Sequence, residues 1–259
     1  MTKWTVLYRK ELLELMRQYK LIWVPLVFIL LGATQPVMSY FLPDILAAAG
    51  SLPDGSVVDI PLPSPAEVMM ETMSNFNTLG SLVIALSFMS AVSGERNSGT
   101  AAMILVKPIS FASFVTSKWA AMLTLTVLAF AVGYGASWYY TDALIGRLEP
   151  VYALKSLAVY ALWIAFIGTL TIVASSLLRS GAAAAFLALG SAAVLSILSN
   201  VFPRAMQWSP GRLAGYGHSL LQSGRADGAV WAAAACAAVL MAGLLALAVE
   251  ALRRKPSLD

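Results

Sequence analysis

Six stretches of spanning length run through this sequence almost free of charge: Leu21–Leu42, Phe76–Ser93, Trp119–Tyr140, Leu157–Leu178, Ala182–Phe202 and Ala229–Glu250. A helix rises 1.5 Å per residue and a bilayer's hydrocarbon core is about 30 Å thick, so about 20 apolar residues cross it. Lipid offers no hydrogen bonds to the backbone, which leaves helices as the solution for segments this long and apolar. Of the 259 residues, 59% are hydrophobic and only 12% are charged. A soluble domain carries about 25% charged residues, so this chain lacks the charge to cover a water-facing surface. The expected architecture is all-α: a polytopic membrane protein with six transmembrane helices in one membrane domain spanning residues 1–259.

The connections sharpen that picture. The fourth and fifth stretches are separated only by Arg179, Ser180 and Gly181, which requires a tight helical hairpin. Pro25 and Pro36 interrupt the first stretch and are expected to bend it; neighbouring helices satisfy the freed carbonyls in such cases. Before the first stretch, Trp4, Tyr8, Leu12, Leu15 and Tyr19 recur at helical spacing, with Lys3, Arg9, Lys10, Arg17 and Lys20 around them. The pattern predicts an amphipathic helix over residues 1–20 lying in the membrane interface, and it serves equally as a charged lead-in to the first span. The segment contains Glu11 and Glu14 and leads into an apolar run too long for a signal peptide, so it is expected to be retained.

Orientation follows from the basic residues. With the N-terminus inside, twelve of the seventeen Lys and Arg residues fall on the inner side, and eight of the thirteen acids fall outside. Both termini and Gly94–Lys118 are then cytoplasmic. Two external loops are long. Residues 43–75 carry five prolines and no Lys or Arg, with a short helix expected around Pro65–Met73. Residues 203–228 are expected to hold a short interfacial or re-entrant helix at Gly211–Gln222.

Several function classes are disfavoured. The middles of the six stretches hold no ionisable residue, whereas ion-coupled carriers and proton pumps keep one for the coupled ion. One cysteine, Cys236, builds neither a disulfide framework nor a thiolate metal site. A single histidine, His218, excludes a two-histidine metal site. No His-Glu-x-x-His, paired aspartate or Walker pattern occurs, so no catalytic, cofactor or metal residue is assigned. The Ser, Thr, Asn and Gln residues within the stretches are read as interhelical hydrogen-bonding groups, and the small residues of the last two stretches as close-packing surfaces.

One inner segment is far longer than a turn requires. Gly94–Lys118 reads GERNSGTAAMILVKPISFASFVTSK. It has room for two short helices around a proline joint. In the family of ABC-2-type exporter permeases, a basic amphipathic helix precedes six spans, and Glu, Gly-Thr, a Leu-containing run, Pro and then Lys lie between the second and third. This sequence resembles that family over essentially its whole length, with Glu95, Gly99-Thr100, Leu105, Pro108 and Lys118 in those places.

The resemblance implies a transmembrane permease subunit of an ATP-driven exporter. Residues 94–118 would be its coupling segment, docking on a separate cytosolic ATPase, and residues 1–20 its connecting helix. The residues suit such a role. Gly99 admits a tight backbone turn, Pro108 divides the apolar run, and Phe111 and Phe114 offer apolar anchors. Glu95 and Arg96 pair either across the contact or with each other, beside Thr100 and Lys118. The implied assembly has two permease subunits, identical or paralogous, and two copies of the ATPase. ATP and Mg are expected in that partner and no cofactor in this chain. The surroundings are lipid, and nucleic acid is not an expected partner. A non-transporting membrane scaffold is the alternative reading. The few polar residues available to a path lean toward hydrophobic or amphipathic cargo.

Overall fold

A computed structural model describes residues 3–48, 63–100, 109–225 and 227–254, and all regular structure among them is helical. The elements are α1 (Lys3–Arg17), α2 (Lys20–Ala48), α3 (Pro65–Asn75), a π-helical turn (Phe76–Gly80), α4 (Ser81–Phe88) and α5 (Ser93–Asn97). They are followed by α6 (Phe111–Leu144), α7 (Pro150–Leu177), α8 (Gly181–Val201), a 3-10 turn (Pro210–Arg212), α9 (Leu213–Ser223) and α10 (Ala229–Arg254). Six segments are long and apolar enough to cross a membrane: Lys20–Ile45, Pro65–Asn97, Phe111–Leu144, Pro150–Leu177, Gly181–Val201 and Ala229–Arg254.

The six expected spans are all present, and two are longer than hydropathy alone indicates. The second begins at Pro65. Ser64 caps it: its hydroxyl accepts from the Glu67 amide while the Glu67 carboxylate accepts from the Ser64 amide at 2.7 Å. This reciprocal box, with Pro at the first helical position, is a strong helix start. The expected external loop is therefore shorter at that end, and Glu71, read as a loop acid, sits on the spanning segment. At its other end α2 runs on through Pro43 to Ala48. The third span begins at Phe111, where the Ser110 hydroxyl accepts from the Ser113 amide at 3.1 Å. Phe111–Lys118 is thus the opening of a 34-residue helix, not a separate short helix after a proline joint. Pro108 itself lies outside the described residues.

The α7 helix forms the centre of the bundle. Of its most apolar window 67% is buried, against 22% for both α8 and α10. A row of rings crosses the interior from α2 to α9. Phe28 stacks on Phe76 at 5.4 Å, Phe76 meets Phe130 edge-on at 5.5 Å, Phe130 stacks on Tyr160 at 5.6 Å, and Tyr160 stacks on His218 at 6.2 Å. Polar side chains pin this apolar interior between helices, as their types predict. Trp163 donates to the Asn77 side chain at 2.7 Å, Trp119 to Thr169 at 2.9 Å, and Ser137 to Thr72 at 3.0 Å. The Tyr160 hydroxyl donates to the Met73 carbonyl at 2.5 Å, just before the helical repeat changes in the π turn.

The small residues of the last two spans pack inside the bundle: Ala184, Ala188 and Ala192 of α8, and Ala233 and Ala237 of α10, are buried rows. Arg179 and Ser180 make the tight hairpin, with Ser180 capping α8. The α9 helix forms where a short helix was expected and buries Leu213, Tyr216, Leu220 and Leu221. Ser156 of α7 donates to its Gly217 carbonyl at 2.8 Å.

The helices α2 and α6 approach closely at Gly32 and Gly133. A β-carbon on Gly133 would fall 2.5 Å from the Phe28 carbonyl oxygen, and one on Gly32 would overlap the Gly133 carbonyl. Gly135, two residues along, has nothing within 4 Å of its β position. Gly133→Ala is expected to cost about 1–3 kcal/mol through overpacking against an immovable backbone. Gly135→Ala is expected to be neutral or slightly stabilising. Thermal unfolding in detergent micelles distinguishes the two.

Candidate functional site

The inward face of α1 is the row Leu7, Glu11 and Leu15, spaced four residues apart and all buried against the start of α6. Residues four apart share a helix face, so the row carries one carboxylate into an apolar contact. The flanks are tied as well. Trp4 stacks on Tyr8 at 5.4 Å and donates to Thr116 at 3.1 Å, and the Tyr8 and Thr124 hydroxyls lie 2.8 Å apart. Leu12 is half-buried beside them. Tyr19 departs from the expected face. It follows the end of α1 with φ +56 and is 69% exposed.

Buried charge needs a partner, and Glu11 has one in Lys118. The Lys118 ammonium, on a side chain 2% exposed, lies 3.0 and 2.9 Å from the two Glu11 oxygens and 2.9 Å from Glu95 Oε1. Lys10 bonds the same Glu95 oxygen at 2.5 Å, Glu11 at 3.0 Å and Glu14 at 3.1 Å. Two ammonium groups thus hold three carboxylates across α1, α5 and α6. Burial acts to lower the Lys10 pKa, but the hydrogen bonds and charges of Glu95 and Glu11 outweigh it and hold the ammonium above its ordinary value. Burial acts to raise the Glu14 pKa, and Lys10 overcomes it and holds the carboxyl below its ordinary value.

The five-residue α5 is held at every side. Ser175 of α7 accepts from the Val92 and Ser93 amides, both at 3.1 Å, at its N-terminal end. Glu95 points to α1 and α6. Arg96 donates to the Ser176 carbonyl and Asn97 to the Arg179 carbonyl, both at 2.9 Å, at the C-terminal end of α7. A guanidinium on the last carbonyls of a helix satisfies orphan acceptors and complements its dipole. Glu95 and Arg96 therefore do not pair with each other; each braces a different neighbour. Gly99 follows with φ +74, a backbone region that favours glycine. Thr100 and Ser98 share a hydroxyl contact at 2.9 Å.

A cleft of about 520 Å³ opens beside the cluster, between α1 and the stretch from Phe88 to Thr100. Lys20 reaches its edge and donates to the Ser87 carbonyl at 2.6 Å. One carboxylate oxygen each from Glu11, Glu14 and Glu95 lies within 4.8 Å of the others. Lys10 and Lys118 already supply the balancing charge there, so the donor set does not call for a metal ion.

The expected coupling residues divide in this frame. Glu95 and Lys118 meet in one ionic junction, whereas Arg96 turns away from it to the Ser176 carbonyl at the end of α7. Phe114 is 2% exposed in the core, with the Lys118 ammonium 5.2 Å from its ring centre, and Phe111 packs against the same core. The Phe114 ring, anticipated as a partner anchor, is instead enclosed in the core, and Phe111 is half-buried. Lys10 and Glu11 were not singled out from the sequence, although Glu11 sits at helical spacing between Leu7 and Leu15 and that placement was the available signal.

The ABC-2 family transporter protein model matches residues 5–211, a stretch from α1 to the 3-10 turn that contains the whole ionic junction. The chain belongs to the ABC-2 transporter family. It is also 38% identical over 226 residues to the uncharacterized transmembrane protein YxlG of Bacillus subtilis (strain 168), covering 87% of this chain and 88% of that one. As an ABC-2 family protein it is a multi-pass membrane permease of a transporter. Such permeases generally pair with separate ABC ATPase subunits.

Removing one member of a buried pair strands the other, at a cost of about 3–5 kcal/mol. Lys118→Met is expected to lower stability by that amount, and adding Glu11→Gln to it is expected to recover part of the loss, both read by detergent unfolding. The pH dependence has two edges. Lys10, with its pKa raised, contributes stability below the ordinary lysine value of about 10.4 and loses it as pH climbs through the raised value; Glu14, with its pKa lowered, contributes above about 4.3 and loses it as pH falls through the lowered value. The unfolding midpoint is therefore expected to stay level from about pH 6 to 9 in its dependence on this cluster.

Proposed function

We propose that this chain is the membrane subunit of an exporter driven by a separate ATP-binding subunit, with α1 and α5 as the surface that receives the drive. The observation that carries this reading is the ionic junction of Glu11, Glu95, Lys10 and Lys118. It ties α1 and α5 to the foot of α6, and Arg96 ties α5 to the end of α7, the most buried helix. A force applied at α5 reaches the centre of the bundle through direct bonds, without an intervening flexible loop. The concentration of basic residues at this end supports a cytoplasmic orientation.

In this reading two copies of the permease, or one and a paralogue, sit on two ATPase subunits that hold ATP and Mg. ATP binding changes the relative stability of two permease conformations through differential contacts with α1, α5 and the residues after Gly99. Cargo is released on the far side of the membrane.

The test uses the full chain, purified with the ATPase that accompanies it and reconstituted in liposomes. Glu95→Gln and Arg96→Ala are expected to lower the unfolding midpoint but, in the folded protein, to leave ATP turnover within about threefold while cutting ATP-dependent cargo movement at least tenfold, about 1.4 kcal/mol of lost coupling. Retained transport in both variants would remove the junction from the coupling path. Absence of any Walker-type ATPase from the purified complex would contradict the exporter reading itself.

A further inference from the structure

Lengthening the second span brings a carboxylate to membrane depth. Glu71 of α3 accepts a hydrogen bond from the Gln35 amide of α2. Gln35 in turn accepts from the Asn75 amide at 3.3 Å and lies 3.5 Å from the Ser39 hydroxyl. The carboxamide is thereby oriented with its NH2 toward Glu71. The Lys20 end of α2 is one boundary, where the ammonium bonds the Ser87 carbonyl. Gln35 lies 15 residues further along α2, about 22 Å at the helical rise. A hydrocarbon core about 30 Å thick then leaves the Gln35–Glu71 pair about 8 Å inside its far boundary.

This carboxylate is exposed, and among the described residues it makes no ion pair. Its surroundings change in character along the same span. Near it Thr34, Ser74 and Thr78 are exposed. Further toward α4 the exposed side chains are Leu79, Leu82 and Leu86. The leucines suit lipid. A bare carboxylate does not, because ionisable groups at this depth face water-filled cavities or partners and mark pathways. The π turn Phe76–Gly80 follows directly; such turns occur frequently at functional sites. It is braced by Tyr160 on the Met73 carbonyl and Trp163 on Asn77. The carboxylate thus stands on a rigid support, held by one carboxamide with a second behind it, and is open on its outer side.

We propose that Glu71, oriented by Gln35 and Asn75, binds the primary ammonium or guanidinium group of an amphipathic molecule in the outer half of the membrane. The cargo role of that molecule rests on the exporter reading above; the cation site does not. The acceptor-only carboxylate supplies the charge-assisted hydrogen bonds such a head group needs. The leucine face beside it accommodates an apolar tail. Two sources share this chemistry: a cationic cargo and the amine head group of a lipid.

The experiment measures binding to the full chain in phosphatidylcholine nanodiscs, without nucleotide or ATPase. The probe is dansylcadaverine, a fluorescent primary amine, compared with its N-acetylated, uncharged form. Wild type is expected to bind the amine at least tenfold more tightly than the acetylated form. Glu71→Gln, which keeps an acceptor for Gln35, is expected to remove that preference, and Glu71→Asp to keep most of it. Equal binding of the two probes by wild type overturns the proposal without reference to any variant. Unchanged preference in a folded Glu71→Gln protein overturns it as well. Replacing part of the lipid with phosphatidylethanolamine separates the sources: displacement of the probe assigns the site to lipid amines, and no displacement assigns it to cargo. Because no ATPase is present, failure here leaves the exporter reading standing, and failure of ATPase pairing leaves this result standing.

Discussion

The buried ammonium of Lys118 organises the end of the bundle that carries α1. It lies against the Phe114 ring, and Glu11 and Glu95 reach it from two other elements. An ion in such a place penalises any arrangement in which one partner leaves, since the remaining charge is stranded. The same bonds that hold the junction therefore resist separate movement of α1, α5 and α6. A hydrophobic contact of similar size would resist sliding less, because it has no fixed geometry.

This constraint gives the short α5 a role out of proportion to its length. Five residues do not make a stable helix alone. Here each end and each charged side chain is attached elsewhere: Ser175 to the first amides, Arg96 and Asn97 to the end of α7, Glu95 to both lysines. The element acts as a linchpin between a surface helix and the central helix. Gly99, with its positive φ, then turns the chain away from this braced unit. The far half of the bundle is built differently. There, aromatic stacking and neutral hydrogen bonds join the helices, and the exposed carboxylate of Glu71 stands apart from any cation among the described residues.

Much of the architecture was readable from residue order, because spanning helices announce themselves by length and the absence of charge. The six spans and the tight turn at Arg179–Gly181 follow from that alone. The errors came where helices continue past their apolar stretch. The helix expected at Pro65–Met73 is there, but it was assigned to the external loop; Ser64-Pro65 with Glu67 starts it as part of the second span, and Glu71 goes with it. Ser110 likewise starts α6 early, which buries Phe114 in the core and leaves Phe111 half-buried against it. The segment Gly94–Lys118 stood out by its length and composition; within it Glu95 and Lys118 meet, while Arg96 bonds the end of α7 instead. Lys10 and Glu11 were hidden because a charge between two leucines on one helix face reveals its partner only when the opposing helix is in place. The pairing of Lys118 with a residue 107 positions away has no local signature.

In the proposed exporter, α1, α5 and the start of α6 move as one body when the ATP-binding subunit takes up nucleotide. Spin labels at Arg9 and Ser98, both exposed on this end, report it most directly by electron–electron distance measurement in the reconstituted complex. The Arg9–Ser98 distance within one subunit is predicted to be the same with and without trapped ATP, while in the proposed assembly of two permease copies the Ser98–Ser98 distance shifts. A change in the first distance on ATP binding, with the second unchanged, would contradict the claim.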